Sequence, residues 1–183
     1  MSRIPTPASI EAAPVAAQPL LSAVKSQLGI VPNMFRVLAN SPSALEGYLG
    51  FHSALAKGSL DAPTRERIAL AIADVNECGY CLAAHTYLGK NLAKLDDAEI
   101  AANRAGGSND PKADAAVQFA VRIANERGHV TDADIRAVKR AGYSDSDIVE
   151  IVLHVALNTL TNYVNEVALT DIDFPAATAR RAA

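Results

Sequence analysis

The chain has 183 residues, half of them apolar, with 5% aromatic residues and no tryptophan. That length suits one domain with a substantial core, and so much alanine with so few rings favours an all-α fold of close-packed helices over a sandwich or barrel. Seventeen basic residues against 20 acidic ones give a formal charge of -3, which offers no bulk attraction to nucleic acid or to an anionic membrane.

Residues 1–19 carry Pro5, Pro7, Pro14 and Pro19 among alanine and serine. Such spacing breaks a helix before two turns are complete, so an extended arm is expected, draped on a neighbouring subunit. A helical domain over 20–175 follows, and residues 176–183, with Arg180-Arg181, read as a frayed tail. The first helix is predicted over Leu20 to Leu28, and a short one through Met34, Phe35, Val37 and Leu38. Ser41 as N-cap and Pro42 at the first helical position open a third, which Gly58 ends. Asp61-Ala62-Pro63 opens the next, with Ile68, Ile72 and Val75 as its apolar stripe.

Gly79 permits a break, after which Cys81, Leu82, Leu88 and Leu92 mark a new helix with Cys81 in its first turn. Further helices are expected over Asp96 to Arg104, Pro111 to Arg127 and Thr131 to Arg140. Ser144 caps a long last helix to about Leu169, for a total of about eight. In that last helix Ile148, Ile151, Val152 and Val155 cover one flank, and Val149, Leu153, Ala156 and Leu160 another. Burial nearly all round is therefore expected, with His154, Asn158, Thr161, Asn162 and Asn165 as a polar stripe that needs partners. A hydrogen-bonded network at a helix or subunit contact is the favoured reading of that stripe, and a wall of a substrate site the sharper one.

Both cysteines of the chain lie in Cys78-Gly79-Tyr80-Cys81, and His85 follows four residues after the second. No basic start leads into a continuous apolar run, and no uncharged stretch approaches the roughly 18 residues of a spanning helix. A reducing cytoplasm is the expected compartment, and there a lone pair of thiols in disulfide range points to redox chemistry rather than to a structural staple. The thiolate is the nucleophile, so a cysteine pKa must fall from about 8.5 toward neutrality. Cys81 in the first turn of a helix faces unpaired backbone N–H groups, and His85 one turn later shares its face as base, donor or counter-ion. Glu66 is the most interesting carboxylate of the preceding helix, since a carboxylate within reach of His85 would orient the ring and accept its proton.

Competing fates stand beside this one. A zinc site needs four protein ligands, and His85 is the only nearby third candidate. Glu66 sits between Arg65 and Arg67, where surface ion pairing is common, and Glu77 is an alternative local acid. Haem, flavin and nicotinamide lack motif support, because Gly106-Gly107 has no strand before it. No cofactor and no metal is expected.

Taken together, Glu66, Cys78-Gly79-Tyr80-Cys81 and His85 form a glutamate twelve residues before a C-x-x-C-x-x-x-H. This pattern resembles the carboxymuconolactone decarboxylase superfamily, in its alkyl hydroperoxidase D-like, peroxidase-related branch. Val31-Pro32-Asn33-Met34-Phe35-Arg36 and the run from Asn158 to Asn165 resemble flanking segments of that branch, so the likeness reaches from about Gly29 to Pro175. The resemblance implies an all-helical fold, a trimer or hexamer, and a proton relay of Glu66 and His85. It implies further that Cys81 is the peroxidatic thiol, passing through a sulfenic acid, and that Cys78 resolves it as a disulfide.

One departure stands out. The best-known peroxidatic members place a histidine immediately before the second cysteine, where this chain has Tyr80, a phenol that cannot serve as a neutral-pH base. The resulting expectation is a hydroperoxide reductase acting on organic hydroperoxide or hydrogen peroxide, with a dithiol or thioredoxin-like reductant. The alternatives are thiol-disulfide exchange or redox sensing without efficient turnover, and a small-ligand-binding helical oligomer.

Overall fold

The structure, a computed structural model, describes residues 2–175; the expected tail at 176–183 lies outside them. Nine α-helices and no strand occur among the described residues. They are α1 (Gln18–Leu28), α2 (Asn33–Leu38), α3 (Pro42–Leu55), α4 (Ala62–Val75), α5 (Gly79–Asn91), α6 (Asp97–Arg104), α7 (Pro111–Asn125), α8 (Asp132–Arg140) and α9 (Asp145–Ala168). The all-α expectation holds.

Local chemistry sets the boundaries. Ser41, Asp61, Asp96, Asp110, Thr131 and Ser144 each cap a helix start by accepting from a backbone N–H in the first turn, which satisfies donors that have no partner inside the helix. Thr131 with Asp134, and Ser144 with Asp147, form reciprocal capping boxes. Gly29 closes α1 in the left-handed region at φ 76°, a conformation glycine adopts without steric cost.

Helix α4 is the axle of the fold. It packs against α5, α6, α7 and α9, and residues 68–73 are all buried. Its three faces serve three cores. Ile68 and Ile72 meet Ala116, Phe119, Ala120 and Ile123 of α7, Val138 of α8 and Ile151 and Val155 of α9. Leu70 meets Leu95 and Ile100 beside α6. The third face is small, with Ala73 in the cluster that holds Cys78, Tyr80, Cys81 and Ala84. Methyl-sized side chains let helices approach closely, so α5 lies near α4 where its reactive side chains are.

The N-terminal segment lies on its own chain. Arg3 N–H donates to the Ala168 carbonyl at 2.6 Å, Asn40 Nδ2 to the Pro5 carbonyl at 2.7 Å and Arg36 Nη1 to the Ala8 carbonyl at 3.0 Å. Ala13 and Ala17 are buried in the cluster that contains the cysteines.

Two expectations need correction. The reversal between α4 and α5 is not at Gly79, which is already helical, but at Glu77, a non-glycine residue with φ 53°. The Cys78 N–H reaches back to the Ala73 carbonyl at 2.9 Å, closing α4 in the wide C-terminal loop that demands a left-handed residue there. Helix α9 is not buried all round within the chain. His154, Asn158, Thr161, Asn162 and Asn165 face inward, while Val149, Val152, Leu153 and Leu160 are exposed. The polar stripe is taken in because it meets the α4–α5 unit, and the second apolar flank is left out.

Because Ile72 is fully buried between α4, α7 and α9, Ile72→Ala should lower unfolding free energy by about 2–5 kcal/mol. Urea denaturation of the two proteins measures this.

Candidate active site

Cys78 is the N-cap of α5, and its sulfur accepts the Cys81 N–H at 3.4 Å. A thiol thus takes the place of the usual serine or aspartate oxygen, and the two sulfurs are held at opposite ends of the first turn. Both are buried free cysteines, with Cys78 at 0% and Cys81 at 3% exposure.

One turn on, His85 Nδ1 and Glu66 Oε2 lie 2.9 Å apart. Their side chains keep 21% and 22% exposure, so the pair opens toward solvent while the sulfurs do not. Burial pulls the His85 pKa down, but the charge and hydrogen bond of Glu66 and the charge of Cys81 outweigh it and raise the pKa above the ordinary value. Glu66 therefore meets His85, and the alternative acid Glu77 is spent on the interhelix turn.

The Cys81 pKa is lowered to about 6. The hydrogen bond from Cys78 is the largest cause, burial opposes it, and the charge of His85 and the amides of α9 add to the lowering. Asn165 Nδ2 donates to the Cys81 sulfur at 3.3 Å. The Asn162 amide adds its dipole without a hydrogen bond of good geometry, and its carbonyl accepts from Asn76 Nδ2 at 2.8 Å. Cys78 moves the opposite way, since the hydrogen bond to Cys81, burial and the Cys81 charge all hold its proton on. One thiol is thus an anion and the other its proton-bearing neighbour, a division that a shared site imposes on two acids.

The polar stripe of α9 divides between the two readings given to it. Asn162 and Asn165 belong to the thiol site. Asn158 and Thr161 bond within the helix, to the carbonyls of His154 and Asn158 at 2.8 and 2.9 Å. His154 is buried, with its pKa pushed down to about 4 by burial and by the charge of Arg65.

Tyr80 is committed elsewhere than to His85. Its hydroxyl donates to Asp173 Oδ1 at 2.8 Å and accepts from the Met34 N–H at 3.2 Å. The other oxygen of Asp173 accepts the Asn33 N–H at 2.8 Å, and Asn33 Nδ2 donates to the Asp171 carbonyl at 2.9 Å. The Phe174 ring stands edge-on to Tyr80 at 5.7 Å and tilted to Tyr87 at 6.0 Å. The phenol between the cysteines therefore clips residues 171–174 over the start of α5. Sequence reading did not find this strap, because one aspartate distant from Tyr80 carries no signal of its partner.

Among the described residues, no group of three or more histidine, cysteine, aspartate or glutamate side chains is placed to hold a metal ion. No described helix is long and apolar enough to cross a membrane.

The described residues are all-helical and hold two neighbouring thiols whose pKa values are pushed apart, and comparison with known proteins narrows the class. The model of the carboxymuconolactone decarboxylase family matches residues 42–120. The structure of an uncharacterized peroxidase-related protein from Ralstonia eutropha, described as an alkylhydroperoxidase AhpD core, superposes with a TM-score of 0.84 at 26% identity, covering 94% of this chain and 92% of the other. A peroxidase-related protein from Silicibacter sp. gives 0.79 at 22% identity, with 93% and 94% covered. The debrominase Bmp8, solved with 2,3,4-tribromopyrrole, gives 0.77 at 19% identity, with 94% of each covered. Comparison with curated proteins gives no match. Residues 42–120 thus resemble the carboxymuconolactone decarboxylase family, and the fold over nearly the whole chain is similar to that of the alkylhydroperoxidase AhpD core.

In the reduced protein the thiolate absorbance should rise with a midpoint near pH 6. Asn165→Ala and His85→Ala should each move it upward, toward the ordinary thiol value of about 8.5. Because folding lowers this pKa, ionised Cys81 contributes stability that is complete above the ordinary thiol range and is lost as pH falls through about 6. Melting temperatures of wild type and Cys81→Ser should therefore converge as pH is lowered across that window.

Proposed function

We propose that the protein is a cysteine-dependent hydroperoxide reductase. The observation that carries this reading is the linked set of Glu66, His85, Cys81 and Cys78: an acid–base pair at 2.9 Å, a lowered thiol pKa and a second, protonated thiol one helical turn away. The likeness to the Ralstonia eutropha peroxidase-related protein supports it.

In the proposed reaction, the Cys81 thiolate attacks the terminal oxygen of ROOH. The O–O bond breaks, the electron pair leaves on the RO fragment, and the His85 imidazolium supplies the proton that makes ROH. Cys81 is then a sulfenic acid. Cys78 attacks its sulfur, the S–O bond breaks, and the Cys78 proton, passed through neutral His85, leaves with hydroxide as water. An external dithiol reduces the resulting disulfide, restoring the Cys78 thiol and the Cys81 thiolate while His85 takes up a proton.

Burial separates this reading from general disulfide exchange. Exchange with a protein disulfide needs a sulfur that the partner can approach in line, and neither sulfur here is exposed beyond 3%. A small hydroperoxide meets a lower barrier than a protein partner does. Regeneration by a thioredoxin-like protein requires the cover over α5 to open, whereas a small dithiol needs less.

Self-association as a trimer or hexamer, which the family resemblance implies, is part of the proposal. Val149, Val152, Leu153, Leu160, Tyr163 and Val167 run along the outer flank of α9, each at least 37% exposed, an apolar stripe of the kind that marks an interface. Tyr163→Glu with Val167→Glu should lower the sedimentation coefficient to that of a single chain of 19.2 kDa, and an unchanged coefficient would place the contact elsewhere.

Stopped-flow mixing of reduced protein with cumene hydroperoxide tests the main reading. Two thiols per chain should disappear rapidly, Cys81→Ser should abolish the reaction, and Cys78→Ser should leave a sulfenic acid trappable by dimedone. A rate equal to that of a free thiol at the same pH would refute it. A brominated pyrrole serves as the comparison substrate, given the debrominase of the same fold.

A further inference from the structure

The relay as described supplies one proton and leaves the departing oxygen without a second donor. We propose that Tyr48 is a further catalytic residue, whose phenol hydrogen-bonds the leaving oxygen of a hydroperoxide as Cys81 attacks its neighbour. This inference rests on the hydroperoxide-reductase reading and adds to it a substrate-contacting group from α3, an element that contributes nothing else to the chemistry.

Packing fixes the ring and leaves the hydroxyl without a structural task. Tyr48 stands edge-on to Phe35 of α2 with centroids 5.8 Å apart, and tilted against His52, one turn along α3, at 6.0 Å. It packs against the cluster that contains Cys78 and Cys81. Its hydroxyl makes no hydrogen bond with any described residue, and it is not sealed from solvent, since Tyr48 is only half-buried. A phenol oriented by two rings rather than by its own hydroxyl keeps a donor for a guest.

Surroundings make that donor useful. Burial raises the Tyr48 pKa, and the charges of Cys81 and Glu66 raise it further. The hydroxyl is therefore protonated at any working pH, and it lies within electrostatic reach of both Cys81 and Glu66. Among the neighbouring donors, His85 already gives its one proton to the departing oxygen in the reaction above, and Tyr80 is engaged by Asp173 and Met34. The His52 pKa is lowered by burial and by the charge of Arg65. The exposed side of the Glu66–His85 pair is the accessible edge of the site, and a ROOH molecule entering there brings its leaving oxygen between relay and phenol. As the O–O bond breaks, negative charge grows on that oxygen. A donor already in place stabilises the growing charge more than the neutral substrate, and so acts on the rate.

Tyr48→Phe removes one oxygen and keeps the ring contacts, and its melting temperature should match that of wild type. Each protein is fully reduced, and the Cys81 reaction is followed with cumene hydroperoxide and with iodoacetamide, whose leaving iodide needs no such donor. The expected result is a fall of about 10²-fold in the hydroperoxide rate, with the alkylation rate and thiolate titration in place. Equal hydroperoxide rates in a fast wild type and in Tyr48→Phe overturn the assignment of Tyr48 alone. Parallel losses with both reagents also overturn it, since the phenol would then act on the thiolate and not on the leaving oxygen. A wild type no faster than a free thiol overturns the hydroperoxide reading, and this inference with it.

Discussion

The ion pair between Glu66 and His85 ties the site to the fold, because it is made across two helices and exists only when they lie at one distance. Glu66 belongs to α4 and His85 to α5, and the small side chains at Ala73 and Ala84 set how near those helices come. Replacing either alanine with a bulky residue would force the helices apart and separate imidazole from carboxylate, even with both side chains intact. The remainder of the thiol chemistry hangs on that spacing. The Glu66 charge raises the His85 pKa, the charge of His85 helps to draw the Cys81 pKa down, and the Cys81 charge in turn raises that of His85.

A buried anion needs more than one partner, and the chain provides three of different kinds. Cys78 offers a thiol hydrogen at the helix cap, His85 a charge, and Asn165 an amide hydrogen from α9. The amide oxygen of Asn165 and the Asn162 Nδ2 make no hydrogen bond among the described residues. Polar atoms left open in a buried place cost stability, and their position beside the sulfur is where a bound oxygen species or water would use them.

Most of the fold was legible in the sequence because its signals are local. Caps at Ser41, Asp61, Thr131 and Ser144 are written within four residues of the helices they start, and the apolar spacing of Ile68 and Ile72 marks the inward face of α4. The thiol site was legible to the extent that its members lie close in sequence: Cys81 and His85 share α5, Cys78 caps it, and Glu66 is twelve residues before Cys78. What escaped depends on distant partners. Nothing near Asn165 announces a sulfur, and nothing near Asp173 announces Tyr80. Alternation along α9 could not say which side faces in, since apolar flanks lie on either side of a polar stripe. Glycine at 79 drew the turn to itself, whereas the backbone places the reversal at Glu77, a residue whose type carries no turn signal.

The separation between the thiols and the groups that activate them has a consequence for how the protein is made. Asn165 lies 84 residues beyond Cys81, and Asp173 lies 93 residues beyond Tyr80. While the chain is being synthesised, Cys81 leaves the ribosome long before α9 can donate to it, and α5 lacks the strap that covers its start. During that interval the sulfur lacks the amides that help to hold it as an anion, and a thiol that keeps its proton reacts slowly with oxidants. The sulfur therefore gains its full set of anion-stabilising contacts only in a molecule that has finished folding.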